Sequence, residues 1–116
     1  MKKNIKLLLK DYARMLSKAL QHLEYSYNKV VKLPADVKNL DEESLETWES
    51  FSSRFTRVVD LFLTKYLKAR VLVEDPGFDG TLRDYVNMGE KLELVEDADL
   101  WMELRELRNI SAHEYT

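Results

Sequence analysis

Two uninterrupted stretches decide what this chain can fold into. From Ile5 to Lys32, and again from Glu42 to Val73, there is neither glycine nor proline, and apolar residues return every three or four positions. In the first stretch Leu8, Tyr12, Met15 or Leu16, Ala19, Leu23, Tyr27, and Val30 or Val31 form one stripe. In the second, Leu45, Trp48, Phe51, Phe55, Val58 or Val59, Phe62 and Tyr66 run close to a heptad seam. Such spacing lines one face of an α-helix. At 1.5 Å per residue the two helices would be roughly 42 and 48 Å long. Leu33-Pro34 closes the first, because proline disfavours helical geometry in the residue before it. Ala35 to Leu40 is then a short connection, and two rods so joined make an antiparallel hairpin. Asp41 is placed to cap the second helix, with Leu40 packing on Leu45 as a staple.

The remainder is shorter. Glu74-Asp75-Pro76-Gly77-Phe78-Asp79-Gly80 reads as a loop, with Pro-Gly marking a turn and without the carboxylate pattern of a calcium loop. Thr81 and Asp84 match a capping box that opens a third helix reaching about Leu94, with Gly89 placed to interrupt it. Val95 to Asp99 leads into a fourth helix, capped by Asp97 or Asp99, in which Leu100, Leu104, Leu107 and Ser111 are spaced to form a buried stripe. The expected fold is all-α: a single domain over 1–116, an antiparallel up-and-down bundle of four helices, two long and two shorter.

Composition narrows the setting. Three glycines and two prolines in 116 residues leave little material for the turns of a many-stranded fold. There are no cysteines, so disulfides and thiolate zinc sites are excluded and a reducing cytoplasm is permitted. Lys2 and Lys3 precede Leu7-Leu8-Leu9, but Lys10, Asp11 and Arg14 interrupt that run too early for a signal peptide. No segment is expected to span a membrane.

The formal net charge of −3 is not that of a general nucleic-acid binder, yet charge is unevenly spread. Residues 1–18 hold six basic side chains against Asp11, and Lys6, Lys10, Arg14 and Lys18 step by four along one face. That stripe suits a phosphate backbone, though such runs are more often a solvated face. Asp36, Asp41, Glu42, Glu43, Glu46 and Glu49 face only Lys38 in the next acidic run, where the helix dipole explains them better than a metal would. His22 has no partner at ligand spacing. Arg54 and Arg57 flank the aromatic seam and could meet a nucleotide or RNA, but pairing with Glu49, Ser50 or Asp60 on their own helix is the simpler expectation. The aromatic density itself reads as core or dimer interface.

The last helix carries the chemistry. After Leu107 come Arg108-Asn109, then His113 and Tyr115. At ~100° per residue Arg108 and Tyr115 share a face, whereas Asn109 and His113 stack four apart on a neighbouring one. Histidine can take or give a proton at neutral pH, and arginine presents fixed charged donors to phosphate oxygens. Metal-free RNA cleavage needs both functions, and it needs a base and an acid. One motif supplies one histidine, so a two-fold dimer bringing two motifs to one cleft would complete the set. Arg108 and His113 diverge by ~140° on one ideal helix, which again asks for the arginine's reach or a partner chain.

Leu107-Arg108-Asn109 and Ala112-His113-Glu114-Tyr115 resemble the arginine–four–histidine–one–tyrosine signature of the HEPN superfamily. The nearest branch is the HepT-like proteins, encoded beside minimal nucleotidyltransferases as toxin–antitoxin pairs. Trp48 through Phe62 and Asp99-Leu100-Trp101 match more loosely. The resemblance implies an all-helical homodimer, joined through the motif helices and acting in the cytoplasm as a metal-independent ribonuclease that needs no cofactor. Arg108 and His113 would be its catalytic residues and Asn109 would orient the histidine or the substrate. Tyr115 would be the residue that the cognate nucleotidyltransferase modifies with adenylate, blocking RNA by charge and bulk. Some relatives are instead non-catalytic substrate- or nucleotide-binding subunits of a nucleotidyltransferase. The family usually continues into a further helix after the tyrosine, which here would be a fifth.

Overall fold

The computed structural model describes residues 4–34 and 40–114, with side chains for 4–34 and 40–110. Every regular element among them is helical. Helix α1 spans Ile5–Val30 and opens on Asn4, whose side chain accepts from the Lys6 N–H at 3.0 Å. It ends just before Leu33-Pro34, where the Lys32 and Leu33 N–H groups close turn bonds to the Lys29 and Val30 carbonyls. Of the expected connection from Ala35, only Leu40 lies within the described residues. Along α1 the burial settles both open choices: Leu16 and Val30 turn inward, whereas Met15 and Val31 are exposed.

The second long helix is a composite rod. Helix α2 (Glu42–Leu61) runs into a π-helical turn (Phe62–Tyr66) and on through α3 (Leu67–Glu74). Asp41 caps its start, its carboxylate accepting from the Ser44 N–H at 2.7 Å. The π-turn resets the packing register. In a plain α-helix residues four apart drift by about 40° per step, so a run of four-residue steps soon leaves the core. Val59, Leu63, Leu67 and Val71 are separated in this way, yet all are at most 2% exposed. The wider turn, in which the Leu67 N–H reaches back five residues to the Phe62 carbonyl, absorbs part of the drift. Phe62 and Tyr66, expected on the central seam, are displaced to its half-buried margin, where their rings stack 6.0 Å apart.

Helix α4 (Leu82–Lys91) begins with the expected capping box: the Thr81 hydroxyl accepts from the Asp84 N–H, and the Asp84 carboxylate accepts from the Thr81 N–H at 2.8 Å. These backbone bonds hold the Asp84 carboxyl below its ordinary range, as the Ser44 N–H does for Asp41. Each cap therefore contributes stability that is complete above the ordinary aspartate range and fades as pH falls through its lowered native value.

Two expectations for this region are corrected. The helix stops at Lys91 rather than near Leu94, because Glu93 takes a left-handed conformation (φ 62°) and the Leu94 and Val95 N–H groups turn back to the Gly89 carbonyl. Gly89 does not break the helix. It lies buried within α4, and a Cβ there would stand 2.8 Å from Leu67 Cδ1, so the missing side chain lets α4 close on α3.

Helix α5 (Ala98–Glu114) starts at Asp97, which accepts from the Leu100 N–H at 3.2 Å. Its start is tied to α4 twice: Glu90 accepts from the Ala98 N–H at 2.8 Å, and Arg83 pairs with Asp99 at 2.7 Å. Helix α1 packs along α2, the π-turn and α3. On the same rod α4 lies against α3 and α5 against α2, giving the antiparallel bundle, 52 × 26 × 25 Å in extent. Its core joins Val59, Leu63, Leu67 and Val71 to Tyr85 and Val86 of α4, then to Val95 and Ala98. No described helix is long and apolar enough to cross a membrane.

Candidate functional site

The motif helix is fixed to the rod at two points. Two turns before Arg108, the Trp101 ring stacks on Phe62 at a centroid distance of 4.2 Å and an interplanar angle of 25°. At Arg108 the guanidinium reaches across to α2, where Nη2 donates to Asp60 Oδ2 at 2.9 Å. Asp60 itself stands at the mouth of the π-turn, its carbonyl accepting a 2.6 Å bond from the Thr64 hydroxyl. The aromatic stack sets the distance between α5 and the rod. The ion pair then sets where the guanidinium sits.

Asn109 completes the arrangement from the next position along α5. Its Oδ1 accepts from Arg108 Nη1 at 2.9 Å, so the two neighbours hold each other. Arginine has five N–H donors in a planar fork. Two are engaged here on Asp60 and Asn109, while the Nε–H is buried with no acceptor among the described residues. The Arg108 side chain keeps 30% of its exposure and Asp60 keeps 43%, so the pair sits at the surface of the α2–α5 junction rather than in the core. Asp60 offsets the arginine's charge, but the remaining N–H directions still present charge-assisted donors.

Of the four residues expected to form the site, the structure places Arg108 and Asn109 together. The backbone of His113 lies in α5, and its side chain is outside the described residues, as is Tyr115 altogether. Asp60 is a member that sequence reasoning missed. A signal was present: between Glu49 and Glu74 it is the only acidic residue, set among Val58-Val59 and Leu61-Phe62. A lone carboxylate there wants a cation, and Arg57 one turn away is the partner the sequence offers; the structure supplies Arg108 instead.

Two further expectations are corrected. Leu100 and Leu107 do not face the core of this chain; they are 49% and 54% exposed, and Ile110 beside them is 55% exposed. The inward face of α5 is made instead by Ala98, Trp101, Met102 and Leu104, with Arg108 following at its end. Arg54 does not pair along its own helix. Its Nη1 donates to the His22 carbonyl at 3.0 Å and to the Ser26 hydroxyl at 2.8 Å, bolting α2 to α1. Asp60, a candidate partner for Arg57, is taken by Arg108. The acidic residues at the start of α2 do not gather into a metal site: among the described residues no three His, Asp or Glu side chains do so.

Compared with protein-family models, with curated proteins and with solved structures, the chain finds no match.

Proposed function

We propose that this chain is a HEPN-type, metal-independent endoribonuclease toxin, acting as a cytoplasmic homodimer and controlled by a partner minimal nucleotidyltransferase that adenylates Tyr115. The observation that carries the reading is Arg108. It is the first residue of the HEPN-like signature, and Asp60 and Asn109 hold it at the surface of the α2–α5 junction with its side chain 30% exposed. A guanidinium fixed in this way is preorganised for a phosphate that gains charge during reaction.

The chemistry assigns each residue a task. His113 takes the proton from a ribose 2′-hydroxyl as that oxygen forms its bond to phosphorus. Arg108 stabilises the crowded phosphorane. The 5′-oxygen leaves with a proton from the second copy's imidazole, producing a 2′,3′-cyclic phosphate and a 5′-hydroxyl. The dimer has a physical basis in the exposed strip of Leu100, Leu107 and Ile110 beside the motif, since paired copies would cover it and bring both histidines to one cleft. Adenylate on Tyr115 would add bulk and negative charge near Arg108, which would repel RNA.

One observation favours a second reading, in which the chain is a non-catalytic substrate- or nucleotide-binding subunit of a nucleotidyltransferase. Both terminal nitrogens of Arg108 already hold protein acceptors, one of them a carboxylate, which suits a fixed binding group as well as a catalytic one. Incubating purified protein with single-stranded RNA in EDTA, wild type beside His113→Ala, separates the two. The ribonuclease reading expects cyclic-phosphate products from the wild type and a loss of about 10²–10⁴-fold in the variant, with unchanged circular dichroism. A folded, unmodified wild type that leaves RNA intact would sink it in favour of the binding subunit.

A further inference from the structure

The residues that bolt α1 to α2 enclose a basic recess that neither the bundle nor the motif requires. It has a volume of about 190 Å³ and is lined by Ala19, His22, Arg54 and Arg57. Three of those four side chains are cationic or can become so, and no carboxylate lines the recess. Arg54 and Arg57 lie one turn apart on α2, a spacing at which like charges repel. Arg57 is exposed and has no hydrogen-bond or ion-pair partner among the described residues. Arg54 is held from behind by the buried Ser26 hydroxyl and the His22 carbonyl. Two guanidiniums kept side by side without an acid form a ready anion site, one fixed and one free to close.

The surroundings indicate which anion. On the other side of Arg54 lies a smaller recess of about 110 Å³, lined by Tyr25, Ser26, Lys29, Glu46, Thr47 and Ser50 as well as Arg54 itself. Tyr25 is 63% exposed, with Lys29 Nζ at 5.7 Å and the Arg54 guanidinium carbon at 5.9 Å from its ring centre. Glu46 is the one acid among those lining residues. An exposed ring beside cations, next to a pair of arginines with no ion-pair partner among the described residues, is the pattern that holds a single-stranded nucleic acid: bases stack on the ring and phosphates take the charge. A compact inorganic anion would have no use for the tyrosine.

We infer that the α1–α2 groove is a binding site for single-stranded RNA, with His22, Arg54 and Arg57 taking a phosphate and Tyr25 offering a stacking face. The choice of RNA over another single strand rests on the ribonuclease reading; the groove itself does not. Arg57 stands three residues, or ~4.5 Å of helix rise, before Asp60, which carries Arg108. The Arg57 end of the groove therefore lies within one turn of α2 of the residue that holds Arg108.

The test is fluorescence anisotropy with a labelled single-stranded RNA of about twelve nucleotides, measured in His113→Ala so that no cleavage intervenes. Arg57 is exposed and has no hydrogen-bond or ion-pair partner among the described residues, so Arg57→Glu should leave the fold intact, as circular dichroism would show. It should weaken binding on the order of tenfold, and Arg57→Ala should flatten the dependence of log K on log salt by about 0.7. Tyr25→Ala should lose affinity without changing that slope. Unchanged affinity and slope in the Arg57 variants would place the strand elsewhere and overturn the site, as would absence of binding before any substitution. If binding depends on Arg57 but unsubstituted protein does not cleave, the strand site stands and the ribonuclease reading fails. Cleavage that is indifferent to Arg57 gives the reverse.

Discussion

Arg108→Ala should lower RNA cleavage by about 10²–10³-fold while the protein remains folded. The guanidinium lies at the surface of the α2–α5 junction, so its removal opens no core cavity. It strands Asp60, but that carboxylate is 43% exposed and water can solvate it. An ion pair so placed contributes about 1 kcal/mol or less to stability, and the Trp101–Phe62 stack still holds α5 to the rod. The loss should therefore appear in kcat and not in the unfolding midpoint. Arg108→Lys sharpens the test. Lysine keeps the charge but has no planar fork, so it cannot hold Asp60 and Asn109 and also face a phosphate. It should lose most of the activity that alanine loses. Full activity in the lysine variant would show that only charge matters, and a wholly structural role would lower stability and activity together.

The second large effect concerns the core. Leu67→Ala should destabilise the fold by about 2–5 kcal/mol, a large part of the roughly 5–15 kcal/mol that holds a domain of this size together. Leu67 is wholly buried, lies at the start of α3 just past the π-turn, and fills the space above Gly89. Urea denaturation followed by circular dichroism reads the change directly. Gly89→Ala then provides a coupling test. In the wild type the added methyl meets Leu67 Cδ1 at 2.8 Å and must push a packed side chain aside. In the Leu67→Ala background that obstacle is gone, and alanine's better helix propensity should partly restore stability. Strictly additive effects would mean that the two residues do not meet.

The sequence carried the frame of the molecule because local chemistry wrote it. The caps at Asp41, Thr81–Asp84 and Asp97 are short-range signals, and the two glycine- and proline-free stretches left helices as the economical solution. What was not legible depends on partners distant in the chain. Periodicity gives the angle between Leu100 and Leu107 but not which face of α5 meets the rod, and the inward face begins from Ala98 and Trp101 instead. The π-turn was hidden for a related reason. Phe62 and Leu63 are both apolar, so the pattern fits either register until the four-residue steps from Val59 to Val71 are required to stay in one core. The end of α4 was obscured because Glu93, not a glycine or asparagine, takes the left-handed turn.

The site divides in the same way. Arg108 and Asn109 stand out as a motif, and their direct bond is a local matter of adjacent residues. Asp60 is 48 residues away, and nothing in a helical repeat says that two side chains on different rods will meet. Arg54 illustrates the same limit, since its partners lie on α1 rather than one turn along α2.

That two copies of α5 build one catalytic site is tested most directly by following specific cleavage rate against protein concentration, with sedimentation velocity on the same samples. The dimeric site predicts that activity per chain falls as dilution separates the copies. Leu107→Glu, a charge placed on the 54%-exposed strip, should move both the dissociation and the loss of activity to higher concentration together. Activity per chain that stays constant where sedimentation shows only single chains would contradict it.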